Sequence, residues 1–247
     1  MRIRNYILPA LGILLAGSAS GVDIKPTVTK AEDFAPEGWK LHSITYGDLD
    51  QDGEKDAALV IQQTDEQKII KNDGMGKSEL DANPRILLVV FKNGAGYELA
   101  LKNENILPSQ DDAENPCMED ILGISGGIRV TASNTLKISL HFETRCDPRI
   151  SAAYAYTFRY QNNRFELIGL DNTDFSLSPL ATVYTSASYS TGKIRIATET
   201  YEGKLTEKWA RVKTKPQYDL QTLRYAQLTD INMGVFWDIE QEARRAQ

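Results

Sequence analysis

The sequence predicts a mainly β fold, made of antiparallel sheets with one or two short helices. Two observations favour this class. Apolar residues alternate with polar ones in stretches such as 136–142, and the aromatic residues of 154–160 recur at every second position. Alternation with a period of two is typical of strands that have one buried face. Helical spacing of apolar residues is scarce over the rest of the chain.

Further segments complete the predicted sheets. Residues 86–91 are uniformly apolar, which indicates a strand that is buried on both faces. The segment Gln161–Arg164 joins the aromatic strand to another that begins at Phe165, so the two predict a hairpin. Ile194 and Ile196 predict one more strand, and residues 205–212 predict the strand that returns beside it.

Two short helices are predicted. Residues 65–71 could make two helical turns before Asn72-Asp73-Gly74 ends them. Residues 237–246 predict a terminal helix, because acidic residues come early in this segment and Arg244 and Arg245 come late. That order of charges suits the helix dipole.

The first twenty residues predict a signal peptide. Arg2 and Arg4 precede an apolar run, 6–16, and small residues follow it. The run is shorter than the ~20 residues that a membrane-spanning helix needs. Ser18 stands where a lipoprotein signal would need cysteine. We therefore expect a periplasmic or secreted protein with no transmembrane span after cleavage, whose residues 21–247 form a single β-rich domain.

The charge balance argues against nucleic acid as a partner. The chain has a formal net charge of −6, and its basic residues form no stripe along the sequence. Nucleic-acid binding depends on clustered cations that neutralise phosphates. The acidic balance is compatible with divalent cations and also with simple solubility.

The two cysteines, Cys117 and Cys146, predict one disulfide. An even number of cysteines in an exported chain favours pairing over free thiols. Neither cysteine has a histidine close to it in the sequence, so a catalytic thiol is not indicated.

An acidic segment carries the clearest chemistry in the sequence. Aspartates occur at alternate positions, 48, 50 and 52, followed by Gly53, Glu54 and Asp56. Ca²⁺ prefers six to eight oxygen ligands in flexible geometry, whereas Mg²⁺ requires a stricter octahedron. We predict a Ca²⁺ site with ligands from the side chains of Asp48, Asp50, Asp52 and Asp56 and from the backbone carbonyl of Glu54. Gly53 permits the sharp turn. An acidic turn exposed to solvent is the alternative.

The flanks of this loop identify its type. An EF-hand places a bidentate Glu at the twelfth loop position, where this chain has Leu59. Strand-like residues, 41–46 and 57–61, lie on either side. The segment 47–60 resembles the calcium loops of the FG-GAP/VCBS repeat family, which follow D-x-D-x-D-G-x-x-D before an apolar strand. The resemblance implies a single FG-GAP-like calcium loop between strands, in which the ion is structural. Residues 156–169 also resemble uncharacterised exported bacterial proteins.

Catalytic patterns are weak. His42 and His141 each fall on a predicted strand, without the spacing of metal ligands. Ser125 lies in a glycine-rich segment that lacks the spacing of a nucleophile elbow and is better interpreted as a turn. Asp50 and Asp52 match a phosphatase nucleophile only faintly, because that chemistry needs a parallel α/β sheet.

Three hypotheses for the function remain. The leading one is an exported calcium-binding β protein, non-enzymatic, with a protein or glycan partner. The second is a periplasmic inhibitor or immunity-type protein that blocks a hydrolase. The third is a calcium-dependent hydrolase. The aromatic strand bears on the first, because its aromatic side chains either bind glycans or form a buried sheet face, and burial is the preferred interpretation.

Overall fold

The computed structural model describes residues 21–123, 127–146, 151–177, 180–212 and 218–245. These residues form a mainly β protein with antiparallel sheets and one α-helix, which confirms the predicted fold class. The predicted signal peptide, 1–20, and Ser125 lie outside the described residues.

The first half of the chain contains seven strands: β1 (Thr27–Val28), β2 (Trp39–Gly47), β3 (Asp56–Gln63), β4 (Ile69–Lys71), β5 (Glu79–Asp81), β6 (Arg85–Asn93) and β7 (Gly96–Asn103). Five of them form an antiparallel sheet with the strand order β1-β7-β6-β3-β2. The other two, β4 and β5, form a separate hairpin that lies between β3 and β6 in the sequence.

Strands β3 and β6 are buried on both faces, as the uniform apolar run of β6 predicts. Leu59 and Leu88 face a core shared with Phe34 from the N-terminal segment. Val60 and Val89 face the opposite way, into the larger core that includes the second sheet. Because both faces of these strands are buried, their sequences do not alternate between apolar and polar residues.

The second half of the chain forms a seven-stranded antiparallel sheet in which each strand pairs with the next in sequence. Its inner face packs against the five-stranded sheet within one hydrophobic core. The strands are β8 (Ile128–Val130), β9 (Leu136–Glu143), β10 (Ser151–Gln161), β11 (Arg164–Leu177), β12 (Leu180–Ser188), β13 (Lys193–Thr200) and β14 (Leu205–Arg211).

The predicted hairpin is present as β10 and β11. Asn162 and Asn163 both have positive φ angles, 54° and 58°, which suit a two-residue turn between antiparallel strands. A bulge follows, because Phe158 pairs with Leu167 whereas Thr157 pairs with Gly169. The extra residue moves the inward positions of β11 from Leu167 to Leu170, so the inner face stays apolar across the bulge.

The terminal helix, α1 (Tyr225–Arg245), is longer than predicted. Leu228, Ile231 and Val235 are buried at helical spacing and pack into the larger core. The dipole interpretation was wrong, since the first turn holds no acidic residue and Asp238 lies well inside the helix. Because polar residues separate these buried positions, the apolar periodicity of the first turns of the helix was not recognised in the sequence. No helix among the described residues is long and apolar enough to cross a membrane.

The other predicted helix is mostly absent. Glu66–Lys68 forms a single 3-10 turn, and Ile69–Lys71 continues as strand β4. Ile69 and Ile70 pair with β5 across a short hairpin. The β-branched side chains favour this strand over a second helical turn.

The predicted disulfide is present. Cys117 and Cys146 are bonded, with their Cα atoms 5.5 Å apart. The bond ties the long connection after β7 to the segment that follows β9, where the Arg145 amide donates to the Cys117 carbonyl at 3.0 Å. The same connection is held by the fully buried Arg85, whose guanidinium donates two hydrogen bonds of 2.7 Å to the Asp120 carboxylate.

Replacing both cysteines by alanine should destabilise the fold. The disulfide closes a loop with a sequence separation of 29. Loop entropy then predicts a loss of about 3–4 kcal/mol in the free energy of unfolding. Urea denaturation of the wild type and of Cys117→Ala/Cys146→Ala measures it. Equal midpoints for the two proteins would contradict the prediction.

Candidate metal site

The acidic loop, residues 48–55, joins β2 to β3 at the end of the first sheet. Leu49 anchors it, because this side chain is fully buried in the larger core. Gly47 allows the loop to lie against the second sheet, since a Cβ there would come within 2.4 Å of Val130 Cγ1 in β8. The loop is therefore held between the two sheets at its base.

Asp56 is the buried anchor of the loop. It begins β3, and its side chain has no exposed surface. Its Oδ2 accepts hydrogen bonds from the backbone amides of Leu49 at 2.7 Å and Asp50 at 3.2 Å. Its Oδ1 accepts one from the Lys92 amide in β6 at 2.9 Å. One carboxylate thus joins the loop, β3 and β6.

The carboxylates of Asp48, Asp50 and Asp56 converge. Each offers an oxygen atom, and these three atoms lie within 4.8 Å of one another. The Oδ1 atom of Asp48 is shielded from solvent and has no hydrogen-bond partner in the part of the chain that the structure describes. An acceptor in that state is costly, because desolvation is not repaid by a donor.

The pKa values of two of these aspartates are raised. Burial raises the pKa of Asp50, and the neighbouring carboxylates of Asp52 and Asp48 add to it. Burial also raises the pKa of Asp56, outweighing the hydrogen bonds from the Lys92 and Leu49 amides, which lower it. The protein by itself therefore stabilises the charged forms of these carboxylates poorly.

The remaining predicted ligands lie further out. Asp52 and Glu54 are exposed, and the Asp52 carboxylate is not one of the three that converge. Asp52 Oδ1 instead accepts a hydrogen bond from the Glu54 amide at 2.8 Å. The turn between them uses left-handed backbone at Gln51 and Gly53, with φ angles of 69° and 92°. Coordination by Asp52 and by the Glu54 carbonyl stays a prediction.

Sequence reasoning missed the residues that hold the loop in place. Gly47 and Leu49 fall at positions where the loop pattern specifies no residue type, and the Lys92 amide comes from a distant strand. Leu49 had a detectable signal, because it is the one apolar residue between the aspartates. The contacts of the other two depend on the packing of β6 and β8, which no local pattern reveals.

The alternative functional residues considered in the sequence are the histidines, the aromatic strand and a phosphatase-like Asp50. His141 is exposed on β9, and the half-buried His42 lies on β2 near the buried Arg85. In the aromatic strand, Tyr156 and Phe158 are buried in the larger core, so the preferred interpretation of this face holds for these two residues. The antiparallel strands around Asp50 lack the parallel sheet that a phosphatase site needs.

Comparisons with known proteins give no relative. No protein-family model, no curated protein and no solved structure matches this chain. The similarity to FG-GAP/VCBS loops therefore rests on the loop residues alone.

Asp56→Asn should destabilise the fold. The side-chain nitrogen of asparagine would replace a carboxylate oxygen that accepts a hydrogen bond from at least one of three backbone amides. We expect a loss of about 1–3 kcal/mol in the free energy of unfolding, measured by urea denaturation in chelator. Asp112→Asn is the control, since the exposed Asp112 also accepts a backbone amide, that of Glu114. Equal losses in the two variants would argue against the anchor.

His42 should make stability depend on pH. Burial, and then the nearby Arg85, lowers the pKa of His42 from its ordinary value of 6.5. A lowered histidine pKa contributes stability above the ordinary value, and this is lost as the pH falls through the folded pKa. His42→Gln should lose less unfolding free energy than the wild type between about pH 7.5 and pH 5. His141→Gln is the control and should behave as the wild type does; an identical loss in His42→Gln would refute the effect.

Proposed function

We propose that the loop 48–56 binds one Ca²⁺ and that the ion orders the connection between β2 and β3. The observation that carries this proposal is the convergence of the Asp48, Asp50 and Asp56 carboxylates, together with an Asp48 oxygen that has no hydrogen-bond partner among the described residues. Asp52 and the Glu54 carbonyl are proposed to complete the ligand set. In this proposal the protein is non-enzymatic and calcium is structural.

Charge supports a cation at this position. Three carboxylates that share one site repel one another, and burial adds a desolvation cost at Asp56. A divalent cation offsets both costs, because it favours the ionised form of every carboxylate that it contacts. It would also give the unpartnered Asp48 oxygen an electrostatic partner.

The arrangement of Asp56 is compatible with a ligand role. An ionised carboxylate has about four lone-pair sites, and the backbone amides occupy three of them. One site is left for a metal ion. The amides fix the carboxylate, so it would enter the ligand set already ordered.

The chemistry favours Ca²⁺ over other metals. The candidate ligands are all oxygens, which disfavours zinc and copper, since these prefer nitrogen and sulfur. The ligands come from one loop and a strand end, and this suits the variable geometry of Ca²⁺ better than the octahedron of Mg²⁺. We expect a dissociation constant on the order of 10⁻⁴–10⁻³ M, as in extracellular modules.

The setting proposed is the periplasm or the extracellular space. The signal-like segment 1–20 supports it, and the Cys117–Cys146 disulfide is typical of oxidising compartments.

A protein or glycan partner is part of the proposal. Gln51, Asp52 and Glu54 are exposed at the tip of the loop, so the loop offers an acidic projection next to the bound ion. This projection also suits the inhibitor hypothesis, in which it would enter a basic active site.

Calcium should stabilise the protein selectively. At ten times the dissociation constant the ion contributes about 1.4 kcal/mol. For a domain of this size that is a rise of about 3–5 °C in Tm over the value in EDTA. Thermal melts in EDTA, Ca²⁺ and Mg²⁺ measure it, and calorimetric titration gives the stoichiometry. Equal shifts with Ca²⁺ and Mg²⁺, or no shift, would contradict the proposal.

Asp50→Asn tests the assignment of the ligands. The amide oxygen can still accept the Asp52 amide, as Asp50 Oδ1 does at 3.1 Å, so the turn is kept while the charge is lost. We expect most of the calcium response to disappear, with no loss of Tm in EDTA. Asp112→Asn, with the same change of charge outside the cluster, should keep the full response. A normal response in Asp50→Asn would remove this residue from the site.

A further inference from the structure

The seven-stranded sheet has an outward face with an ordered arrangement of side chains. The row Tyr156, Leu170, Ala187, Ile194 and Ala210 crosses β10 to β14, and all of its members are buried. Since side chains alternate along a strand, the neighbours of these residues in sequence point to the other side. We call that side of β9 to β14 the outer face.

Large apolar side chains are exposed on the outer face. Leu205 and Trp209 are 56% and 60% exposed, and Phe175 and Tyr184 are also exposed. Phe175 lies on β11, and Tyr184 lies on the adjacent strand β12. Leu205 and Trp209 lie on β14, and β13 separates this strand from β12. Single exposed apolar residues are ordinary, whereas several on one sheet face indicate an interaction surface.

The charges of the outer face are separated along the strand direction. On two of the strands a lysine and a glutamate lie six residues apart, with the lysines towards one end of the face and the glutamates towards the other. On β13 these are Lys193 and Glu199, and on β9 they are Lys137 and Glu143, as the strand registers show. Six residues span roughly 20 Å. Asp171 on β11 forms an ion pair with Lys137 at 2.9 Å and offsets part of the positive charge, so Lys193 and Glu199 on β13 show the separation of charge most clearly.

We propose that the outer faces of two copies of this chain pack together about a two-fold axis that runs across the strands. This rotation exchanges the two ends of every strand and leaves the order of the strands unchanged. It places Lys193 of one copy opposite Glu199 of the other, and the reciprocal pair forms by symmetry. A two-fold interface requires such self-complementarity.

The central strands fit the same arrangement. The rotation brings Phe175 of one copy over Gly169 of the other, because Gly169 lies in the same cross-strand row as Lys193 and Phe175 lies in the row of Glu199. Gly169 has no side chain, and a Cβ built there would meet only the Ala187 carbonyl oxygen at 3.4 Å and Thr157 Cβ at 3.9 Å. The aromatic ring thus faces a shallow depression, with charges towards both ends.

The size of the face is adequate. Six strands at about 4.8 Å, each contributing about seven residues, give roughly 700 Å² of flat area. A standard interface buries ~800 Å² on each partner. Packed sheets align within about 30°, so the charged pairs at the ends would be bridged by long side chains.

The test is the oligomeric state of the purified protein, which sedimentation velocity measures at concentrations up to about 100 µM. We expect a reversible dimer. Lys193→Glu and Glu199→Lys should each weaken it at least ~10-fold, since each places like charges opposite one another twice. The combined variant Lys193→Glu/Glu199→Lys restores opposite charges and should return the dissociation constant to within ~3-fold of the wild type.

Lys71→Glu is the matched control, because Lys71 is exposed on β4, outside the outer face. It should dimerise as the wild type does. A wild type that stays monomeric overturns the proposal, as does a combined variant that is no better than the single ones. Circular dichroism of each variant separates loss of dimer from loss of fold. The result does not depend on the calcium site, because the melts in calcium report on a different part of the chain.

Discussion

Strands β3 and β6 are buried on both faces, and the positions of the two cores and of the acidic loop follow from that burial. Each strand contributes alternate side chains to two cores, one against the N-terminal segment and one against the second sheet. The first residue of β3, Asp56, is therefore carried into a region without water. A carboxylate there must be hydrogen-bonded, and the amides of the loop and of Lys92 in β6 supply the donors.

That anchor links stability to the chemistry of the loop. The hydrogen bonds to Asp56 hold the ends of the loop, and the buried Leu49 holds its first turn. The Asp48 and Asp50 carboxylates are thereby kept beside Asp56 although their charges repel one another. A loop free in solvent would separate them. The repulsion between these converging carboxylates is the physical basis for proposing a cation. The ion should therefore increase the order of the connection between β2 and β3 without changing the fold.

The two sheets differ in how they use their faces. The five-stranded sheet is covered on both sides, whereas among the described residues the seven-stranded sheet packs only its inner face, against the core and the helix α1. Its outer face combines small residues, exposed aromatic rings and separated charges. Such a face binds little through any single residue, but it can match a second copy because symmetry repeats every favourable pair.

The fold class, most strands, the β10–β11 turn and the pairing of the two cysteines could be predicted from the sequence, because they follow from period-two patterns, turn residues and composition. The sequence also identified the acidic loop and four of its carboxylates. The convergence of Asp48, Asp50 and Asp56 without Asp52 could not be predicted, because it depends on the distant Lys92 amide and on Val130 lying against Gly47. The tertiary structure also decided where α1 begins, since the buried positions of its first turns are defined by the sheet that they cover.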